Sequence, residues 1–204
     1  SRLMGSVVIS GATSGAVTLA VPAEAGTRTL SLPAETGTVL TNSTTGCVLQ
    51  VVTANFTGVQ TIASAADNTF NFVDITSLSV AITPKTTSSK ILLMAQINIG
   101  CNTADRIAAF RFTGGNADDY IGAAAGNRQR VAGLFTSPSG AGVVSYAMSI
   151  TYLDSPATTS ATTYKVQGAS NGYSSTVSIN YLGTDPNQTY FPRSACSLTA
   201  MEIA

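Results

Sequence analysis

The chain has 204 residues, 10 Lys+Arg against 10 Asp+Glu, no His and no Trp; charged residues make up 10% and hydrophobic residues 44%. The missing cationic excess argues against a nucleic-acid binder, which needs Lys and Arg to neutralise phosphate. The absence of histidine rules out Ser-His-Asp, Cys-His and His-metal sites, and the high apolar fraction rules out an intrinsically disordered chain. A surface with so little charge is poorly protected against association, which favours a protein packed into a larger assembly over a free enzyme.

Residues 1–46 contain no aromatic side chain; the first is Phe56. The N-terminus, SRLMGSVVIS, lacks the charged-then-apolar layout of a signal peptide and starts without Met, as expected of a processed or truncated piece. Two similar units follow, VTLAVP at 17–22 and TLSLP at 29–33, each an alternating strand ended by proline and followed by AEAG or AETG. This is a hairpin-like rhythm. Small and aliphatic side chains alone bury too little surface for so short a segment to stand by itself. Residues 1–46 therefore read as a β-rich stalk or adaptor, shared among like subunits.

From residue 47 the chain reads as nearly continuous β-structure, with strands expected at 47–53, 57–63, 70–74, 77–83, 90–99, 106–113, 129–135, 143–153, 162–169, 176–182 and 196–203. The clearest places Val144, Tyr146, Met148, Ile150 and Tyr152 on one face and Val143, Ser145, Ala147, Ser149 and Thr151 on the other, the period of a half-buried strand. Turn residues fill the gaps, as in Gly114-Gly115, Asn171-Gly172 and Asp185-Pro186. No apolar run reaches the roughly 18 residues that span a bilayer. Cys47, Cys101 and Cys196 show no metal or redox spacing and read as small buried apolar side chains. Strands every 8–12 residues or so predict an all-β antiparallel sandwich of jelly-roll type over 47–204.

The string GAVTLAVPAEAGTRTLSLPAETGTVLTN, then CVLQVVTANFTGVQT, FNFVDITSLSVAITPKTTSSKILLMAQINI, ITYLDSPATTSATTYKVQG and the terminal SLTAMEIA together resemble the β-rich C-terminal domain of tailed-bacteriophage tail fibres and virion appendages, especially those of marine and cyanobacterial phages. The resemblance runs from about Gly11 to Ala204; residues 102–139 and the insert near 183–193 match no motif. It implies a non-enzymatic virion structural protein at the tail or capsid surface. It further implies a homotrimer, other virion proteins as partners, and no cofactor, metal, nucleic acid or membrane insertion. The leading expectation is a tail fibre or its terminal module contributing to host attachment. The alternatives are a capsid decoration or cement protein and a polysaccharide-degrading tail spike.

Asn116, Asp118 and Asp119 share a Gly-rich loop that reads as a solvated tip or a Ca²⁺ loop. A glycosidase would need two carboxylates about 5–10 Å apart, drawn from Asp74, Asp105, Asp118, Asp119, Asp154 and Asp185. Asp154-Ser155-Pro156 reads as a turn starter, and Tyr164 as a core or interchain aromatic. Arg106, Arg111, Arg128 and Arg130 fall in one window, for pairing with Asp105, Asp118 and Asp119 or for an acidic glycan. Tyr120, Tyr173 and Tyr190 are expected to be exposed in loops beside Asn or Asp. With Asn116, Asp118, Asp119 and Asn171 they form the mix suited to sugars on a host cell-surface polysaccharide, an aromatic face for C–H groups and amides or carboxylates for hydroxyls.

Overall fold

In the computed structural model, which describes residues 6–10, 14, 16–20, 46–64, 69–138, 143–171 and 176–204, every strand ladder is antiparallel. The chain divides into two compact units, Ser1–Val39 and Leu40–Ala204. In the first, β1 (Ser6–Ser10) pairs with β2 (Ala16–Ala20), Ser6 opposite Ala20. The second proline-ended unit, at 29–33, lies outside the described residues.

Among its described residues the second unit carries ten strands: β3 (Val48–Phe56), β4 (Gln60–Ala63), β5 (Val73–Ile82), β6 (Lys90–Cys101), β7 (Ile107–Thr113), β8 (Gly133–Thr136), β9 (Val144–Asp154), β10 (Thr162–Ser170), β11 (Thr176–Ile179) and β12 (Cys196–Ile203). One sheet runs β5-β10-β7-β8. In the other, β6 pairs with β9 along one edge, and with β12 and then β11 along the opposite edge. β12 pairs onward with β3 and β11 with β4. β3 with β4 therefore forms one broken strand, and β11 with β12 another. Counted so, eight strands lie in two four-stranded sheets in chain order 1-8-3-6 and 2-7-4-5. That is the double Greek key of a jelly roll, and the expected all-β antiparallel sandwich is the observed fold.

Sequence alternation is what sorts the side chains. On β6, Ile91, Leu93, Ala95, Ile97 and Ile99 are buried between the sheets, while Leu92, Met94, Gln96 and Asn98 face outward and are half-buried. Each buried Ile or Leu contributes about 1.5–3 kcal/mol relative to exposure, which makes β6 the central rung. From β9 the inner row is Met148, Ile150, Tyr152 and Asp154, opposite Ile97, Ala95, Leu93 and Ile91. From the facing sheet come Ile75, Leu78, Val80, Ile82, Phe110, Phe112, Tyr164 and Val166.

Two boundary expectations are corrected. The strands expected at 70–74 and 77–83 are the single strand β5, because a bulge rather than a turn absorbs the irregularity: Ser77 has φ +61° and the pairing with β10 shifts between Lys165 and Gln167. The strand expected at 176–182 stops at Ile179, where Asn180 turns left-handed at φ +69° and starts an insert. Of the cysteines, Cys101 and Cys196 are buried and Cys47 is half-buried.

Candidate binding site

Three buried polar residues of the jelly roll, Glu202, Asp154 and Asn180, each anchor a clamp that closes a corner. Glu202, fully buried on β12, accepts hydrogen bonds from Gln50 Nε2 (2.6 Å), the Lys85 backbone N–H (2.5 Å) and Ser89 Oγ (2.7 Å), tying the β5–β6 connection to β3 and β12. Burial pushes its carboxyl up, but the three donors and the Lys85 charge outweigh it, so its pKa lies below the ordinary value. Asp154, fully buried at the end of β9, accepts from Tyr164 Oη (2.5 Å), the Asn116 N–H (3.2 Å) and the Ser155 N–H (2.7 Å). The Ser155 contact is the backbone bond expected of a turn starter. Burial first, and then the Asp154 carboxylate it bonds, push the Tyr164 phenol pKa up.

The third clamp holds the neck of the insert 180–195. Buried Asn180 donates from Nδ2 to the carbonyls of Phe56 and Gly58 (2.8 Å each), where β3 breaks into β4, and accepts from Cys196 Sγ (2.9 Å). Burial raises the Cys196 thiol. Asn98 Nδ2 donates to the Ala195 carbonyl, and the Ser194 N–H to the Asn180 carbonyl (3.0 Å). The insert thus leaves and rejoins the sheet at one rigid point.

Beyond the neck lies an open depression of about 460 Å³ lined by Asp185, Pro186, Asn187, Gln188, Phe191 and Arg193. Arg193 grips Asp185 at two points, Nε to Oδ1 (3.1 Å) and Nη2 to Oδ2, which lowers the Asp185 carboxyl and raises the guanidinium. Tyr190 is 72% exposed, its ring centroid 5.0 Å from that of Phe191.

The sequence-predicted candidates do not converge on one place. Asp118 and Asp119 belong to a turn, Ala117–Asp119, whose Ala117 is buried, and Asn116 caps its start. Asn116 spends its amide on the Ser155 carbonyl (2.7 Å). Tyr120 is half-buried rather than exposed: it stacks on Tyr152 (4.7 Å between centroids, 18° between planes) and packs near Phe112. Polar neighbours suggested a loop tip, but the turn folds the ring back onto the core. Asn171 is a structural tie, its Oδ1 accepting the Ile107 N–H (2.9 Å) and its own N–H bonding the Ile107 carbonyl (3.0 Å). Tyr173 and the side chain of Asp119 lie outside the described residues. Tyr190 alone among the described candidates stands in the depression's neighbourhood with an open ring. Asp185 was legible only as a turn residue and a candidate carboxylate, and Gln188, Phe191 and Arg193 matched no binding motif; the signal was a polar, aromatic insert bounded by an abrupt end of alternation.

Of the other charged candidates, Asp74, Arg111 and Arg130 are engaged locally. Asp74 pairs with Lys165 (2.8 Å) and accepts from Gln167 (2.8 Å), and these two donors hold its carboxyl below the ordinary range. Arg111 bonds Gln167 (2.9 Å) and lies over the Phe72 ring, and Arg130 bonds the Gly122 carbonyl (2.6 Å). Among the described residues no cluster of three His, Cys, Asp or Glu side chains is placed to hold a metal ion.

No protein-family model and no curated protein matches the chain. Among solved structures it is similar to infectious bursal disease virus of the Gt strain (11% identity, TM-score 0.43, 97% of this chain and 47% of the other). It is also similar to the Gx strain of that virus (14%, 0.42, 93% and 43%) and to its VP2 subviral particle (12%, 0.36, 93% and 44%). The chain spans less than half the length of these proteins.

Proposed function

We propose that this chain is a non-enzymatic virion structural protein, a phage tail fibre or its terminal module, which assembles as a homotrimer and contributes to host attachment. The observation that carries the assembly is the outer face of the β9-β6-β12-β3 sheet. There Leu153, Leu92, Met201 and Val51 stand opposite one another across all four strands, forming one continuous apolar row. Ile203 and Val48 extend it on the next rung, and Met94 on the other side. Leu153 is 49%, Val51 53% and Val48 54% exposed. Apolar patches of this kind mark interaction surfaces, and a chain with zero net charge meets its own copies without electrostatic repulsion.

The virion assignment rests on the resembling strings. They contain β3 and β5 whole, most of β6, β10 and β12, residues 60–61 of β4 and 150–154 of β9, and all the groups of the Glu202 and Asp154 clamps except the Asn116 N–H. What resembles the phage domain is therefore a large part of the sandwich, without β7, β8, β11 and the first half of β9. The absence of catalysis is supported by the engagement of Asp74, Asp154 and Asp185 in structural bonds.

Two measurements test the reading. Light scattering of the purified chain should give about three times 20.8 kDa, and Val51→Glu with Leu153→Glu should return it to single subunits. Antibody-labelled particles should carry the chain at the tail; label spread over the shell would instead support a decoration protein. A parent chain that stays single at tens of micromolar would refute the trimer. Release of reducing ends from host envelope polysaccharide would refute the non-enzymatic role.

A further inference from the structure

We propose that the insert 180–195 is a carbohydrate-binding element whose ligand is an uncharged sugar, seated in the depression lined by Asn187, Gln188 and Phe191, with the exposed Tyr190 ring beside Phe191. This rests on the attachment reading above and names its contact point.

The chemistry is set by which groups are spent and which are open. Asp185 and Arg193 neutralise each other through a two-point contact, so the depression presents no net charge. An acidic sugar would face the Asp185 carboxylate or have to draw Arg193 away from it, exchanging one ion pair for another. An uncharged sugar requires no such exchange. Among the described residues the side-chain amides of Asn187 and Gln188 make no hydrogen bond, so each offers two donors and an acceptor. That pairing suits hydroxyls, which both give and accept. The exposed Tyr190 ring, beside the half-buried Phe191 ring and tilted 47° to it, offers an aromatic face for the C–H groups of a pyranose.

The mounting fits as well. The depression is of a size usual for small-ligand clefts, and the neck is held by Asn180, Asn98 and Cys196. Little ordering is left to be done on binding. The insert also lies largely outside the strings that resemble the phage domain. The scaffold and the contact element are therefore separate parts of the sequence.

The test uses the full chain on an array of neutral hexose and N-acetylhexosamine oligosaccharides beside sialylated, sulfated and uronate-containing ones, followed by titration with the best neutral binder. At least one neutral class should bind. Its affinity should change less than about twofold between 50 and 500 mM NaCl, since no ion pair forms. Tyr190→Ala and Phe191→Ala should each weaken binding about tenfold, and Gln188→Ala should weaken it too. Tyr146→Ala, a partly exposed ring outside the insert, should leave it unchanged. Tyr190 is exposed enough that its truncation leaves the fold intact, which a melting curve verifies. Binding of charged glycans only, of no glycan, or binding indifferent to Tyr190→Ala and Phe191→Ala overturns the proposal. A chain found in particles yet blind to neutral sugars overturns this inference and leaves the virion reading standing; sugar binding by a chain absent from particles does the reverse.

Discussion

Replacing Glu202 by Ala removes the acceptor for three donors at once, and their fates differ. Gln50 Nε2 keeps the Thr83 carbonyl at 2.7 Å, and Ser89 Oγ keeps Thr86 Oγ1 at 3.0 Å. The Lys85 N–H keeps nothing, because the carboxylate is its one acceptor. Hydrogen bonds to a charged group contribute about 1.5–3 kcal/mol, and an orphaned donor costs about 1–3 kcal/mol. The expected loss is therefore about 3 kcal/mol, nearer one bond than three. For a unit of this size that lowers the melting midpoint by about 6–12 °C. Glu202→Gln keeps an acceptor for Lys85 and should lose only about 1 kcal/mol.

The pH dependence follows from the direction of the shift. The folded carboxyl lies below its usual 4.5, so its stabilisation is present in full above that value and is lost as pH falls through the folded value. Thermal unfolding of parent and Glu202→Ala, followed by circular dichroism from pH 7 down to pH 3, should show two series of midpoints that converge in acid. A midpoint within about 2 °C of the parent at pH 7, or a gap that persists unchanged to pH 3, would refute the reasoning.

Three further perturbations test the same logic. Asn180→Ala deletes both carbonyl contacts at the insert neck. It should cost about 2–3 kcal/mol and open the insert to limited proteolysis, with cleavage between 181 and 195 as the readout. Gly115→Ala places a Cβ against the Asp154 carboxylate and 2.7 Å from the Tyr164 hydroxyl at φ +57°. It should melt well below Gly126→Ala, whose φ is +59° but whose Cβ meets nothing within 4 Å and which costs only the backbone strain of about 1 kcal/mol. Asp74→Asn breaks an ion pair whose members are nearly half exposed; the effect should stay under about 1 kcal/mol and shrink in high salt, and a larger loss in urea titration would contradict it.

Much of the sandwich was legible because period 2 is a local property. The residues of β9, and those of β6 after Met94, carry their own evidence of facing in or out, so strand positions and the all-β class follow without long-range information. The β5 bulge was not legible, since Ser77 looks like any turn residue until its β10 partner fixes the register. Glu202 and Asn180 read as ordinary polar residues near chain and strand ends. Their donors and acceptors come from as far as 152 and 124 positions away in sequence, and only closure of the two sheets brings them together. Tyr120 was misread as exposed for the same reason, because the ring that covers it, Tyr152, belongs to another strand.

Composition and alternation thus determined the class of fold, the low surface charge and the absence of histidine chemistry, all of which are sums over residues or short repeats. The tertiary structure decided which outward residues line up into the apolar row across four strands, which polar groups are spent in clamps, and which aromatic remains open. Those outcomes depend on register between distant strands, and a shift of one residue would turn every one of those side chains to the opposite face.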